Sequence, residues 1–545
     1  DQFESHELGK HSDRSGKYGN HRSYKEEGSE ATENPSAKVD LFDPLQVFQC
    51  LVISRPPGML KHEKDALAQI FRHFLEDGWA LQQALFRCYV SSVVFPIAVS
   101  RFRKFFFSRC TPDIRAHLLE LGPSSEGDEF LFPLFSEFSS REFPSEISRY
   151  KALVERADLT KPHTWFPFAR AMTRRIVYHS GPTNSGKTYN AIQRFKAAGS
   201  GIYCGPLRLL AMEIFDSVNA DGVYCSLTTG QEKKEVPFAN HVACTVEMVS
   251  TQKTWEVAVI DEIQMLADEF RGWAWTRAFL GLQANEIHVC GDPTALRLVR
   301  DICAITGDEM EECHYERFDP LSIDQHSLEG KYGNICPGDC IVSFSRKEIF
   351  SIKRAVELAT SNRCCVIYGA LPPETRRHQA KLFNDPNSGY DVLVATDAIG
   401  MGLNLNIKRV VFHSLEKYDG KTQIKVSASQ VKQIAGRAGR RGTLYQIGTA
   451  TTFYSRDIPY LVQCMEEPFS ATSSAGLFPM YEQIELFATQ MPEATFSKLL
   501  DRFAETCQLD GSFFLCRNDN LKKVAGIIDK VKGLTLEDKM SFILA

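Results

Sequence analysis

The chain has 545 residues, room for about three or four domains, and its 43% hydrophobic and 24% charged content is ordinary for globular proteins. Its 68 acidic residues outnumber 63 basic ones, giving a net charge of −5. That excludes a uniformly basic surface but not a locally basic channel between domains. No apolar run is long enough to span a bilayer, so no membrane partner is expected. The 16 cysteines stand singly in apolar runs or side by side, as Cys364-Cys365 do, which suits reduced and buried thiols. Cys336 and Cys340 have no second pair or His doublet to match them, so no structural zinc is expected. The chain starts at Asp1 without a methionine, so no targeting peptide is visible and compartment cannot be read from its start.

Residues 1–40 are rich in Ser, Gly, Glu, Lys and His and are expected to form a disordered tail. Residues 41–169 carry helical periodicity, as in Leu67, Ile70, Phe71 and Phe74, and read as a helical N-terminal domain. Within it, the run from Phe102 to Phe107 mixes bases and aromatics. Either it is a stacking face for nucleic acid or it packs against the next domain, and the packing reading is preferred.

Residues 170–318 alternate short apolar runs with helical lengths, the rhythm of a doubly wound parallel sheet. The organising stretch follows the first strand: Gly181-Pro182-Thr183-Asn184-Ser185-Gly186-Lys187-Thr188, a phosphate loop between strand and helix. Its glycines let backbone N–H groups wrap a phosphate, and the helix N-terminus adds a favourable dipole. Lys187 would neutralise the β- and γ-phosphates of a nucleotide, and the Thr188 hydroxyl would ligate Mg²⁺. After the apolar strand 257–260 comes Asp261-Glu262-Ile263-Gln264. The first acid there suits Mg²⁺ and the second suits positioning the attacking water. Gly291-Asp292-Pro293-Thr294 is another strand-end turn near the same edge.

A second alternation, 319–465, has no phosphate loop of its own. It ends a strand in Thr396-Asp397-Ala398-Ile399-Gly400-Met401-Gly402 and later runs through Gln433 to Arg437, Arg440 and Arg441. Two such domains with one loop suggest a shared cleft completed in trans by arginines. The spacing predicts Arg437 and Arg440 on one helix, facing one ligand. Their small neighbours Gly436, Ala438 and Gly439 make sense where another domain comes close. Residues 466–545 read as a helical C-terminal domain, ending inside an apolar stretch, so the native chain is expected to continue past Ala545.

Taken together, these motifs resemble superfamily-2 helicases of the DExH type, in particular mitochondrial ATP-dependent RNA helicases that work with an RNA-degrading nuclease. The resemblance implies two tandem RecA-like domains (α/β) flanked by helical accessory domains. It implies ATP and Mg²⁺, with Lys187, Asp261, Glu262, Gln433, Arg437 and Arg440 catalytic and Thr188 and Asp261 on the metal. Nucleotide contacts are implied for 181–188 and for Asp397, Gly400 and Gly402 of the fifth motif. A single RNA strand in the interdomain channel is implied to meet Pro206, Arg208, Thr228, Gly230, Thr245, Ser343, Ser345 and Thr396. It also implies an exoribonuclease partner and a place in the mitochondrial matrix. Gln264 departs from the commoner boxes, which carry His or Asp there, and puts coupling through that position in question. No upstream adenine-reading glutamine is found; Phe166 is either a base-stacking or a core aromatic.

Three activities stay open from residues alone: an RNA helicase, a DNA helicase or translocase, and an ATP-gated clamp without unwinding. Between the fifth and sixth motifs, 410–415 and 423–427 read as two strands about an Asp419-Gly420 turn. This hairpin either finishes the sheet edge or wedges between duplex strands, with Tyr418 on the last base pair and Lys417 and Lys421 on phosphates.

Overall fold

The computed structural model describes residues 40–544 except 57, 419–421 and 441–443. The expected tail therefore lies outside the described residues save for Asp40, as do the hairpin turn and Arg441.

A compact N-terminal unit runs to Pro144 and is helical, as its periodicity predicts. Its core is aromatic: Phe71, Phe74, Phe95, Phe102, Phe106 and Phe135 are fully buried. Phe71 and Phe102 have ring centroids 5.6 Å apart, and Phe95 and Phe135 5.5 Å. This corrects both readings of 102–107, the stacking face and the preferred packing against the next domain, because the rings meet Phe48, Phe71 and Phe138 of their own unit. Helix Phe95–Arg109 turns Phe102 and Phe106 into the unit's own core and leaves Arg103 and Lys104 outside. Burying such rings stabilises by about 1.5–3 kcal/mol each relative to leaving them exposed. Residues beyond Pro144 group with the rest of the chain. Leu159, for example, donates its N–H to the Gln508 carbonyl at 3.0 Å.

The second unit, from Ser145, holds both sheets. Its first sheet contains β1 (Arg175–Ser180), β2 (Gly201–Gly205), β3 (Cys225–Thr228), β4 (Lys233–Lys234), β5 (His241–Thr245), β6 (Thr254–Asp261), β7 (Gln283–Gly291) and β8 (Glu309–His314). Their order is β4-β3-β5-β2-β6-β7-β1-β8, parallel except for β4. β8 escapes a search for apolar runs because its sequence, Glu-Met-Glu-Glu-Cys-His, is half charged. The second sheet comprises β9 (Leu321–Ile323), β10 (Asp339–Val342), β11 (Arg363–Ile367), β12 (Tyr390–Ala395), β13 (Arg409–Phe412) and, after a separate hairpin β14 (Glu416–Tyr418) and β15 (Gln423–Lys425), β16 (Gly448–Thr452). It runs β11-β12-β10-β13-β16-β9, all parallel. These are two tandem RecA-like domains.

The strand expected over 410–415 is β13 inside the second sheet, and the hairpin pairs 416–418 with 423–425 instead; among the described residues it is a two-stranded sheet of its own, which corrects the reading that it finishes the sheet. Helices follow from Tyr481, as expected, but a parallel pair, β17 (Ala475–Leu477) and β18 (Phe513–Leu515), interrupts the helical reading. β17 lies against the first domain: a Cβ on Gly476 would come 3.1 Å from the Trp273 nitrogen.

Candidate active site

β1 ends at Ser180, and the phosphate loop turns back into helix Lys187–Ala197 through left-handed backbone at Asn184 (φ 62°) and Gly186 (φ 81°). Gly186 has a second constraint, since a Cβ there would sit 2.7 Å from the Phe318 ring. The Lys187 ammonium donates to the Pro182 carbonyl at 3.2 Å, across the mouth of the loop.

Asp261 closes β6 beneath this loop. Its Oδ1 accepts from the Thr188 hydroxyl at 3.2 Å and its Oδ2 from the Tyr203 hydroxyl at 3.0 Å. Burial first, and then the negative charge of Glu262, push the Asp261 carboxyl up to about 6. A buried carboxylate with a second acid next to it and a hydroxyl beside it fits a divalent cation, which would relieve the crowding of charge. Glu262 itself holds left-handed backbone (φ 54°), a strained conformation for a side chain of its size. Gln264 donates its amide to the Glu262 carboxylate, and its carbonyl oxygen accepts from the Asp292 N–H at 3.4 Å. Asp292 in turn caps the next turn through the Thr294 N–H at 2.9 Å, and the Thr294 carbonyl accepts from Thr472 N–H at 2.8 Å. The departure from His or Asp at 264 thus keeps a physical link between the acidic pair and the Gly291–Thr294 turn.

From the second domain, Gln433 reaches a cavity of about 190 Å³ lined also by Gly181, Thr183, Lys187, Glu262 and Asp292. Its helix, Ala428–Ala435, stops at Gly436, so Arg437 and Arg440 do not share a helix face as the spacing predicts. Gly439 (φ 69°) bends the chain so tightly that a Cβ there would meet the Gly448 nitrogen at 2.3 Å. The expected close approach does occur at Gly436, where a Cβ would stand 3.2 Å from Thr183 of the phosphate loop. Arg437 points its fork at the fifth motif, donating to the Gly400 carbonyl at 3.1 Å and to that of Leu403 at 3.4 Å. Neither Arg437 nor Arg440 lines the cavity.

Sequence reasoning missed the residues that join the halves. Arg317, in the linker, donates to Gly436 O at 2.7 Å, to Gly439 O at 3.2 Å and to Thr183 O at 3.4 Å. Asn184 adds its amide to Gly439 O at 2.7 Å and Gly436 O at 3.2 Å. No local pattern announces such contacts, because they span the chain. A buried pair below the loop was missed too: His179 Nε2 lies 2.8 Å from His288 Nδ1, and burial and His288 hold His179 down at about 4.

Some expected nucleotide contacts are not brought to the cavity. Asp397 is exposed and accepts from Gln430 at 3.1 Å, while a Cβ on Gly402 would strike Leu207 at 2.6 Å. Ser185 is buried behind the loop. Phe166 is a core aromatic, packed over Gly281, which corrects the base-stacking alternative. The strand-contact residues all fall at or just beyond carboxyl ends of parallel strands: Pro206 and Arg208 after β2, Thr228 and Gly230 at β3, Thr245 at β5, Ser343 and Ser345 after β10, Thr396 after β12. Ser343 is fully buried, with its hydroxyl on Glu348 and on the Ser345 N–H, so its side chain is not offered to a strand. Lys417 gives its ammonium to Gln430 at 2.8 Å, which corrects its assignment to a phosphate. Among the described residues, no helix is long and apolar enough to cross a membrane.

The phosphate loop, the acidic strand end and Gln433 reaching toward them from the second domain define the class: a P-loop protein of two RecA-like halves. Three family models match: the DEXQ-box helicase domain of Suv3 over 162–315, the N-terminal region of the DExH-box ATP-dependent RNA helicase DExH18 over 65–150, and the helicase conserved C-terminal domain over 333–442. The chain is 60% identical over 504 residues to the mitochondrial DExH-box ATP-dependent RNA helicase DExH18 of Arabidopsis thaliana, covering 92% of this chain and 65% of that one. It is 45% identical over 388 residues to the mitochondrial DExH16 of the same plant, covering 71% and 68% of the two. With the human mitochondrial ATP-dependent RNA helicase SUPV3L1 identity is 45% over 449 residues, covering 80% and 57%. The chain belongs to the Suv3 family of DExH-box helicases. It spans less than two thirds of the length of DExH18.

Proposed function

We propose that this chain is the motor of an ATP-dependent RNA helicase of the mitochondrial matrix, delivering single strands to an exoribonuclease. The observation that carries the reading is the unbroken series of hydrogen bonds from Thr188 through Asp261, Glu262 and Gln264 to Asp292 and Thr294. It ties the hydrolytic centre to the turn that family resemblance links to unwinding. RNA as substrate and the mitochondrial setting are supported by the relatives, which are mitochondrial ATP-dependent RNA helicases.

In this reading, the loop's N–H groups and Lys187 hold the β- and γ-phosphates of ATP. Thr188 and Asp261 would hold Mg²⁺, which when bound neutralises charge on those phosphates. Glu262, steadied by Gln264, orients the attacking water. Gln433 closes on the γ-phosphate from the second domain, and Arg440, outside the cavity lining in this structure, would bring positive charge there, the role that the family resemblance implies. Arg437 instead holds the fifth motif in place. The strand is gripped at sugars and phosphates along the strand ends of both sheets, so little sequence preference is expected. The test is ATP turnover with RNA, with DNA and with neither, alongside displacement of a labelled strand. Equal stimulation and displacement with DNA would turn the reading toward a DNA translocase; turnover without displacement would turn it toward a clamp.

A further inference from the structure

The hairpin β14–β15 is anchored at its base rather than hung from a flexible loop. Val426 N–H donates to Leu415 O at 2.9 Å, and both side chains are buried in the second domain's core. The Tyr460 hydroxyl donates to Val426 O at 2.8 Å, and Lys425 lies 4.4 Å over the Tyr460 ring. β15 ends at Lys425, and helix Ala428–Ala435 begins directly after the Ser427 cap, whose hydroxyl accepts from Gln430 N–H. The hairpin is therefore a rigid extension of the helix that carries Gln433 into the nucleotide cavity.

Gln430 lies one turn before Gln433 on that helix, and residues so spaced share a face. Its amide faces two ways. The carbonyl oxygen accepts from Lys417 of the hairpin at 2.8 Å, and the NH₂ donates to the Asp397 carboxylate of the fifth motif at 3.1 Å. Both are charge-assisted bonds, and an amide is suited to accept from an ammonium and donate to a carboxylate at once. A carboxylate there would repel Asp397, and an ammonium would repel Lys417. Gln430 does not line the nucleotide cavity.

We propose that Gln430 is a positioning residue that locks the hairpin to the fifth motif, so that nucleotide-dependent movement of Gln433 and Gly400 reaches the hairpin as one body. This rests on the helicase reading. Arg437 completes the lock from the other side, through its bonds to Gly400.

The experiment uses the full chain, a labelled RNA duplex with a single-stranded overhang, and ATP consumed per duplex displaced as the readout. Gln430→Ala should keep RNA-stimulated turnover within about twofold while displacement falls about tenfold or more, so ATP per duplex rises. A merely structural role would lower both together, or neither, and either result overturns the proposal. A second arm reverses the polarity of the chain. Gln430→Lys and Lys417→Glu should each uncouple alone, and together restore displacement to within about threefold of the unsubstituted protein. A double variant no better than either single one also overturns it. Displacement by the unsubstituted chain is the separate control: its absence overturns the helicase reading itself.

Discussion

Gln264 donates a hydrogen bond to the carboxylate of Glu262, the residue proposed to orient the attacking water. A bond to a charged group is worth about 1.5–3 kcal/mol, which corresponds to roughly tenfold to a hundredfold in rate when felt in the transition state. Gln264→Ala is therefore expected to lower kcat for ATP by that range, with little change in nucleotide affinity. Because its carbonyl oxygen also holds the Asp292 N–H, strand displacement should fall further than turnover. Wild-type kcat in steady-state ATPase assays would refute this.

Lys187→Ala and Glu262→Gln should fail differently. The first removes a charge facing the phosphates and should weaken both nucleotide binding and turnover. The second is nearly isosteric and leaves Asp261 and Thr188 intact, so nucleotide should bind while hydrolysis stalls by about a thousandfold. Fluorescent-nucleotide titration beside single-turnover hydrolysis separates them; equal loss of affinity in both variants contradicts the roles.

The two arginines of the sixth motif should also separate. Arg440→Lys should cut turnover at saturating ATP and RNA by at least about a hundredfold, because a point charge does not reproduce a bidentate fork. Arg437→Lys breaks the bonds to Gly400 and Leu403 and should lower Tm as well as turnover. Thermal melting is the discriminating measurement: a normal Tm in Arg437→Lys would contradict its holding role.

The His179–His288 pair gives a pH dependence with a defined sign. Burial and His288 hold His179 at about 4, below its ordinary 6.5, so the folded state keeps the ring neutral. Its contribution is complete above 6.5 and is lost as pH falls from 6.5 toward 4, a span worth roughly 3 kcal/mol. Tm should fall across that window, and His179→Gln should flatten the fall while lowering Tm at pH 7.5. An unchanged slope in the variant would show that the pair is not responsible.

How much of this was legible in the sequence depended on range. The phosphate loop and Asp261-Glu262 are local motifs in which a strand, a turn and a helix start follow one another, and they fold where the order of residues puts them. Strands β8 and β16 lack an apolar run because one is acidic and the other is threonine-rich. The helix expected through Arg440 ends at Ala435, because Gly436 and Gly439 serve close approaches that spacing alone does not reveal. The aromatics at 102–107 suggested an outward role only because their partners, Phe71 and Phe135, lie far away in the chain. The cross-domain contacts of Arg317 and Asn184 were invisible for the same reason, since their partners are carbonyls of another domain.

Those carbonyls carry one more consequence. Arg317 and Asn184 grip the turn 436–439 by its peptide groups, so the chemical identity of side chains in that turn contributes nothing to the grip. Size does, because a single methyl on Gly436 would press on Thr183 at 3.2 Å. The turn thus acts as a feeler gauge inserted between the two halves: it sets their clearance by contact between atoms, at a width of one missing methyl group. Gly436→Ala would thicken the gauge, its methyl pressing on the Thr183 side chain at 3.2 Å and on the Lys432 carbonyl at 2.9 Å, and so would change the spacing of the halves.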